Sequence, residues 1–265
     1  MKPAIAALTV WCAGSVQAHE FWIDPAAFSV RPGTALVADI RVGEMLEGPA
    51  YSYIPPNFTR FDIVLGDTVI PVEGRAGDRP ALNQPVAGDG LAVVVHATRN
   101  YRLTYRDWNK FVAFVTHKDF AWALEQHAAR GLPQTGFAET YSRHAKSLIA
   151  IGDGAGQDRV VGLETEIVAL ANPYTDGMTD GLPVRVLYQG QPRAGSQVEL
   201  FENAPDGTVE ARLYRTDANG IARLDVKPGF SYLADHVVLR AVEPEADGAP
   251  VWESLWASLT FAVPE

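Results

Sequence analysis

From Pro25 onward the chain is written in short runs that alternate apolar and polar side chains, cut by clusters of Gly, Asp, Asn and Pro. Period-two alternation places one set of side chains on each face of a pleated strand and leaves no continuous stripe for a helix to bury. Leu36, Ala38 and Ile40 alternate with Val37, Asp39 and Arg41. Residues 61–65 and 68–72 flank Gly66-Asp67 and spell a tight hairpin. Residues 91–97 and 101–105 add two strands. In the last third, strands are expected at 184–188, from 198, at 214–216, 222–226, 237–242 and 255–263, with Gly190-Gln191-Pro192 and Asp217-Ala218-Asn219-Gly220 as turns. Many short strands with turn chemistry between them argue for antiparallel sandwiches.

Two stretches break this pattern. Phe120, Leu124 and His127, stopped by Gly131 and Pro133, predict a short amphipathic helix. Phe137, Tyr141, Ala145 and Leu148 lie at i, i+4, i+8 and i+11, which predicts a second helix ending near Gly152. The expected fold class is mainly β: two antiparallel β-sandwich domains of immunoglobulin- or transthyretin-like type, with a two-helix insertion at 118–150. The boundaries fall at 19–175 and 176–265, where Asn172-Pro173-Tyr174-Thr175-Asp176-Gly177 makes a connector.

Residues 1–18 read as an export signal: Lys2 supplies the positive end, 5–13 are apolar, and Val16-Gln17-Ala18 offers small residues for cleavage. The expected location is therefore periplasmic, with a mature chain starting at His19. The only cysteine, Cys12, would be removed with the leader, which leaves neither a disulfide nor a thiolate. Beyond residue 18 no apolar run nears the ~20 residues needed to span a bilayer, so the chain is not expected to be membrane-embedded. A formal charge of −10 without a Lys/Arg cluster excludes nucleic acid as a partner.

Signatures of catalysis are missing: there is no Gly-x-Ser-x-Gly, no His-Glu-x-x-His and no Gly-x-x-x-x-Gly-Lys. Gly152-Asp153-Gly154-Ala155-Gly156 reads as a turn, and Glu164 and Glu166 as the solvated face of a strand. Metal chemistry is the positive signal. An amino-terminal His19 would offer its α-amine and ring Nδ1 to one divalent ion, and a further imidazole would complete a site suited to Cu, Ni or Co. The candidates for that ligand are His96, His117, His127, His144 and His236, with Glu20 and Asp24 as acceptors that orient His19.

The segments Gln189-Gly190-Gln191-Pro192-Arg193-Ala194-Gly195 and Thr216-Asp217-Ala218-Asn219-Gly220, each followed by a strand, resemble the transthyretin-like or carboxypeptidase-regulatory-like module. Further signals are Ala18-His19-Glu20-Phe21-Trp22-Ile23-Asp24-Pro25, residues 43–61 around Tyr53-Ile54-Pro55, Tyr141-Ser142-Arg143-His144-Ala145-Lys146-Ser147-Leu148, and Leu163-Glu164-Thr165-Glu166-Ile167-Val168. With these, the whole chain resembles a periplasmic bacterial family of unknown function described as the periplasmic component of cobalt or nickel uptake. The resemblance implies a non-enzymatic metal-binding accessory to an inner-membrane metal transporter. The alternative is a metal-free module that docks a protein or glycan through the aromatic loop of Tyr51, Tyr53 and Phe58.

Overall fold

The computed structural model describes residues 19–265; the predicted leader and Cys12 lie outside them. In chain order the strands of the first half are β1 (Glu20–Pro25), β2 (Ser29–Val30), β3 (Ala35–Gly43), β4 (Ala50–Tyr51), β5 (Phe58–Leu65), β6 (Thr68–Pro71), β7 (Leu82–Pro85), β8 (Gly90–Thr98) and β9 (Tyr101–Tyr105). Helices α1 (Trp108–His117) and α2 (Trp122–Ala129) follow. Then come β10 (Phe137–Ile151), β11 (Thr165–Ala169), β12 (Leu182–Tyr188), β13 (Gln191–Pro192), β14 (Gln197–Asn203), β15 (Val209–Arg215), β16 (Ile221–Leu224), β17 (Ser231–Ala241) and β18 (Pro250–Ala262). The chain is mainly β with one helical pair.

A ten-stranded sheet forms the middle layer, in the order β15-β14-β17-β18-β10-β8-β5-β6, with β2 and β9 also on β10. This sheet crosses the expected boundary at 175, because β10 and β18 pair in parallel over Ala138–Ser147 and Pro250–Thr260. Its two faces are covered by different partners. Val93 and Val95 of β8 join Ile167, Val184 and Leu224 beneath the small sheet of β11, β12, β13 and β16. Ala92 and Val94 face the other way, into Ile23, Leu36 and Ile40 of the sheet of β1, β3, β4 and β7. The alternation of β8 thus survives, but with apolar residues in both registers, as expected of a strand buried on both faces.

The expected helix at 137–148 is a strand, β10. Its apolar residues at helical spacing are a coincidence created by the polar residues between them, which are buried too: Glu139, Ser142, His144, Lys146 and Ser147. A central strand must satisfy such groups from neighbouring elements, and Lys146 does so with Asp158 at 2.7 Å and Glu166 at 3.1 Å. Glu166, expected on a solvated face, is buried and also accepts the backbone N–H groups of Val161, Gly162 and Leu163. The helix expected from Phe120 forms as α2, with Gly131 in the left-handed region that ends it.

Helix α1 was not foreseen from the sequence. Asp107 caps it by accepting the Asn109 N–H at 3.0 Å, and Phe111, Phe114 and Val115, at i, i+3 and i+4, bury its inner face. Both helices cover one end of the middle sheet through Phe111, Phe114, Trp252, Trp256 and Val237. The aromatic loop after β4 turns Tyr53 into the core. Tyr53 is 8% exposed, packs on Phe58 and Phe61, and donates its hydroxyl to Val72 O, while Tyr51 alone is well exposed.

Candidate functional site

Strand β1 runs beside β3 with Glu20 opposite Gly43, which fixes His19 next to the turn that follows β3. That turn is Glu44-Met45-Leu46-Glu47. Glu44 and Glu47 exchange backbone hydrogen bonds at 3.0 and 2.9 Å, and Met45 and Leu46 sit at φ 51° and 61°. Two adjacent non-glycine residues in the left-handed region cost about 1–3 kcal/mol each. Glycine is required on both sides of the turn, since a Cβ on Gly43 would lie 1.8 Å from Glu47 O and one on Gly48 2.1 Å from Val42 O. The product of this strained loop is the placement of Glu44, whose Oε1 is 3.3 Å from His19 Nδ1. A contact this exposed is worth at most about 1 kcal/mol, so it does not offset the strain.

Behind this end of β1 lies a buried ionic cluster. Lys118 Nζ donates to Glu20 at 3.3 Å, Glu199 at 2.8 Å and Asp235 at 2.9 Å, and His117 Nε2 is 3.0 Å from the same Glu199 oxygen. These three carboxylates are the only group of three or more His, Cys, Asp or Glu ligand atoms within 4.8 Å of one another among the described residues. Lys118 fills the space an ion would take. Burial opposes the charge on Lys118, yet the three carboxylates outweigh it and raise its pKa. Burial also opposes the Glu199 charge, but the His117 hydrogen bond and Lys118 hold its pKa at about 2. Glu20 is pushed up to about 7, by burial first and then by Asp235, and burial raises Asp235 likewise.

None of the predicted ligands joins His19 in a group of three or more candidate ligand atoms among the described residues. His96 is enclosed by Phe21, Phe58 and Phe61, and burial brings its pKa down to about 3. His144 is buried on β10 close enough that its charge would oppose one on His96, and Nδ1 of each lacks a hydrogen-bond partner. His236 is 2.8 Å from Gln197 O through Nδ1, and burial lowers its pKa to about 3. His127 accepts the Trp252 indole N–H at Nδ1, 3.1 Å away, so Nε2 carries the proton offered to Pro133 O at 3.0 Å. It is a satisfied core residue. His117 belongs to the ionic cluster. Glu20 and Asp24 do not orient His19: the first pairs with Lys118, the second with Arg41 at 2.6 Å.

The residues that sequence reasoning missed surround a cavity of about 370 Å³ beside His19, lined among others by Tyr105, Phe114, Glu139, Tyr141, Arg143 and Trp256. Glu139, Tyr141 and Arg143 come from alternate positions of β10, Tyr105 from the end of β9, Phe114 from α1 and Trp256 from β18. Glu139 is 3% exposed and accepts the Tyr105 hydroxyl at 2.8 Å and the Ser254 hydroxyl, which in turn accepts the Trp256 N–H at 3.0 Å. Burial pushes the Glu139 carboxyl up to about 7 despite these donors, and drives the Tyr105 phenol well above its ordinary range. The available signal was the density of Glu, Arg, His and Lys in a segment otherwise suited to the core.

These features define a class: a layered, mainly β protein with a helical cover and a side cavity at one strand end. The chain belongs to the family of the domain of unknown function DUF4198, whose model matches residues 16–236. No curated protein matches it. No helix of the described residues is long and apolar enough to cross a membrane.

Proposed function

We propose that the protein is a periplasmic, non-enzymatic binding protein for a divalent transition metal, Cu, Ni or Co, held at His19 once the leader is cut after Ala18. The observation that carries this reading is the 3.3 Å separation of His19 Nδ1 and Glu44 Oε1, with the carboxylate presented by a strained turn. Nδ1 is the ring atom that closes a chelate with the α-amine of the same residue. Two ligands on one ion at about 2.0–2.1 Å lie roughly 3 Å apart, which suits the pair. In this reading Glu44, rather than a second imidazole, supplies the third donor, and the ion is buffered for or delivered to an inner-membrane transporter. The resemblance to proteins of cobalt and nickel uptake favours that role.

Calorimetry on the processed protein tests the site. Cu(II) and Ni(II) should bind the chain beginning at His19, lose at least about tenfold in affinity with Glu44→Gln, and bind negligibly when one Ala precedes His19. Equal affinities for the three proteins would overturn the reading.

A further inference from the structure

Arg143 lies on β10. Its backbone N–H donates to Thr98 Oγ1 at 3.0 Å, but its guanidinium is paired with no carboxylate, and Nε is buried without a hydrogen-bond partner among the described residues. Aromatic rings are its neighbours instead: Phe21 at 5.5 Å and Tyr141 at 5.0 Å from the guanidinium carbon. Cation–π contacts recover about 0.5–2 kcal/mol but leave the planar donors of the fork unused. A buried polar group without a partner costs about 1–3 kcal/mol, more when charged. Lys118 and Lys146 have carboxylates and Arg130 has the carbonyls of Val242 and Val251; Arg185 and Arg193 share a buried Nε without a partner, but of these three arginines only Arg143 lines the cavity beside His19.

Arg143 lines the cavity beside His19, and so do Arg106 and Lys110. Two acids line it as well: Asp107, and Glu139 with its two oxygens engaged by Tyr105 and Ser254, against the three cations. In a chain of net charge −10 this is a locally cationic recess. Apolar side chains line it too: Leu103 and Trp256 stand on the strands paired with β10, beside Glu139 and Arg143, and Phe114 comes from α1. Ligand sites of this size combine apolar walls with a few placed polar groups.

We propose that this cavity binds a small organic carboxylate with an aromatic or aliphatic body, its carboxylate received by the two Nη groups of Arg143 and its body packed against Phe114 and Trp256. His19 also lines this cavity, but the groups that receive the carboxylate are not those of the metal reading. Arg143 is the specificity-determining residue: a planar carboxylate fits its donors in a bidentate pair, and a neutral isostere does not.

Phenylacetate, its neutral amide phenylacetamide, and acetate serve as probes for the processed protein in EDTA, which separates the outcome from that of the metal site. Titration followed by calorimetry and tryptophan fluorescence should show saturable binding of phenylacetate, with the amide and acetate each at least about tenfold weaker. Arg143→Met should lose at least about tenfold in phenylacetate affinity, and Arg143→Lys should fall between. Arg143→Met removes a buried, unpartnered N–H along with the contacts to Phe21 and Tyr141, so its melting temperature should stay near that of the parent, which separates lost binding from lost folding. No binding of phenylacetate at 10-fold molar excess over a millimolar protein sample, equal binding of acid and amide, or an unchanged affinity in Arg143→Met would each overturn the proposal.

Discussion

At the scale of single residues, the molecule keeps several ionisable groups away from water and settles each by a different means. Lys146 is neutralised by Asp158 and Glu166, Lys118 by three carboxylates, His127 by two hydrogen bonds, and His96 by remaining uncharged among aromatic rings. Glu139 is the least settled, because two hydroxyl donors do not offset its burial and its pKa rises to about 7. A carboxyl raised on folding from 4.5 binds more protons folded than unfolded, so its contribution is complete below 4.5 and fades as pH climbs to 7. Glu139→Gln should therefore leave the protein about 1–2 kcal/mol more stable at pH 8 and unchanged or weaker at pH 4, read by urea unfolding at both pH values. Equal effects at the two pH values would show that the carboxyl is solvated. Lys118→Met should cost about 3–5 kcal/mol at pH 7 in the same assay, since it leaves three carboxylates facing one another without a cation.

At the scale of elements, β10 organises the chain. It pairs with β18 in parallel, with β8 and β9 antiparallel, and it contributes Glu139, Tyr141 and Arg143 to the cavity and Lys146 to the opposite ion network. A strand hydrogen-bonded on both edges and covered on both faces opens only when the whole sheet opens. Amide hydrogen exchange should thus find β8, β10 and the middle of β18 exchanging at the rate of global unfolding. The amides of α2, which buries only Ala123 and His127, should exchange earlier. Protection of α2 equal to that of β10 would mean that the helical pair is part of the core rather than its cover.

At the scale of the whole molecule, the titrating groups pull stability in opposite directions. His96 and His236, lowered on folding from 6.5 to about 3, take up protons more readily when unfolded, so stability is lost as pH falls below 6.5. Glu20 and Glu139, raised from 4.5 to about 7, cost stability as pH rises through that interval. Melting temperature against pH should peak between about 4.5 and 6.5, and a plateau extending to pH 8 would contradict the assignment of both carboxyls. The β content, the hairpin at Gly66-Asp67, the helix stopped by Gly131 and the run of strands after 182 were all legible, because each depends on local periodicity and turn chemistry that a neighbour-by-neighbour reading contains. The identity of β10 was not, since a strand covered on both faces loses its alternation and gains buried polar residues whose partners lie tens of positions away. The same holds for the site: the sequence by itself singled out His19 as a candidate with the wrong neighbours, whereas only the tertiary structure put Glu44 beside it, Lys118 among three acids, and an unpaired Arg143 in a cavity. Charges and donors find their partners through space, and sequence distance carries no information about that pairing.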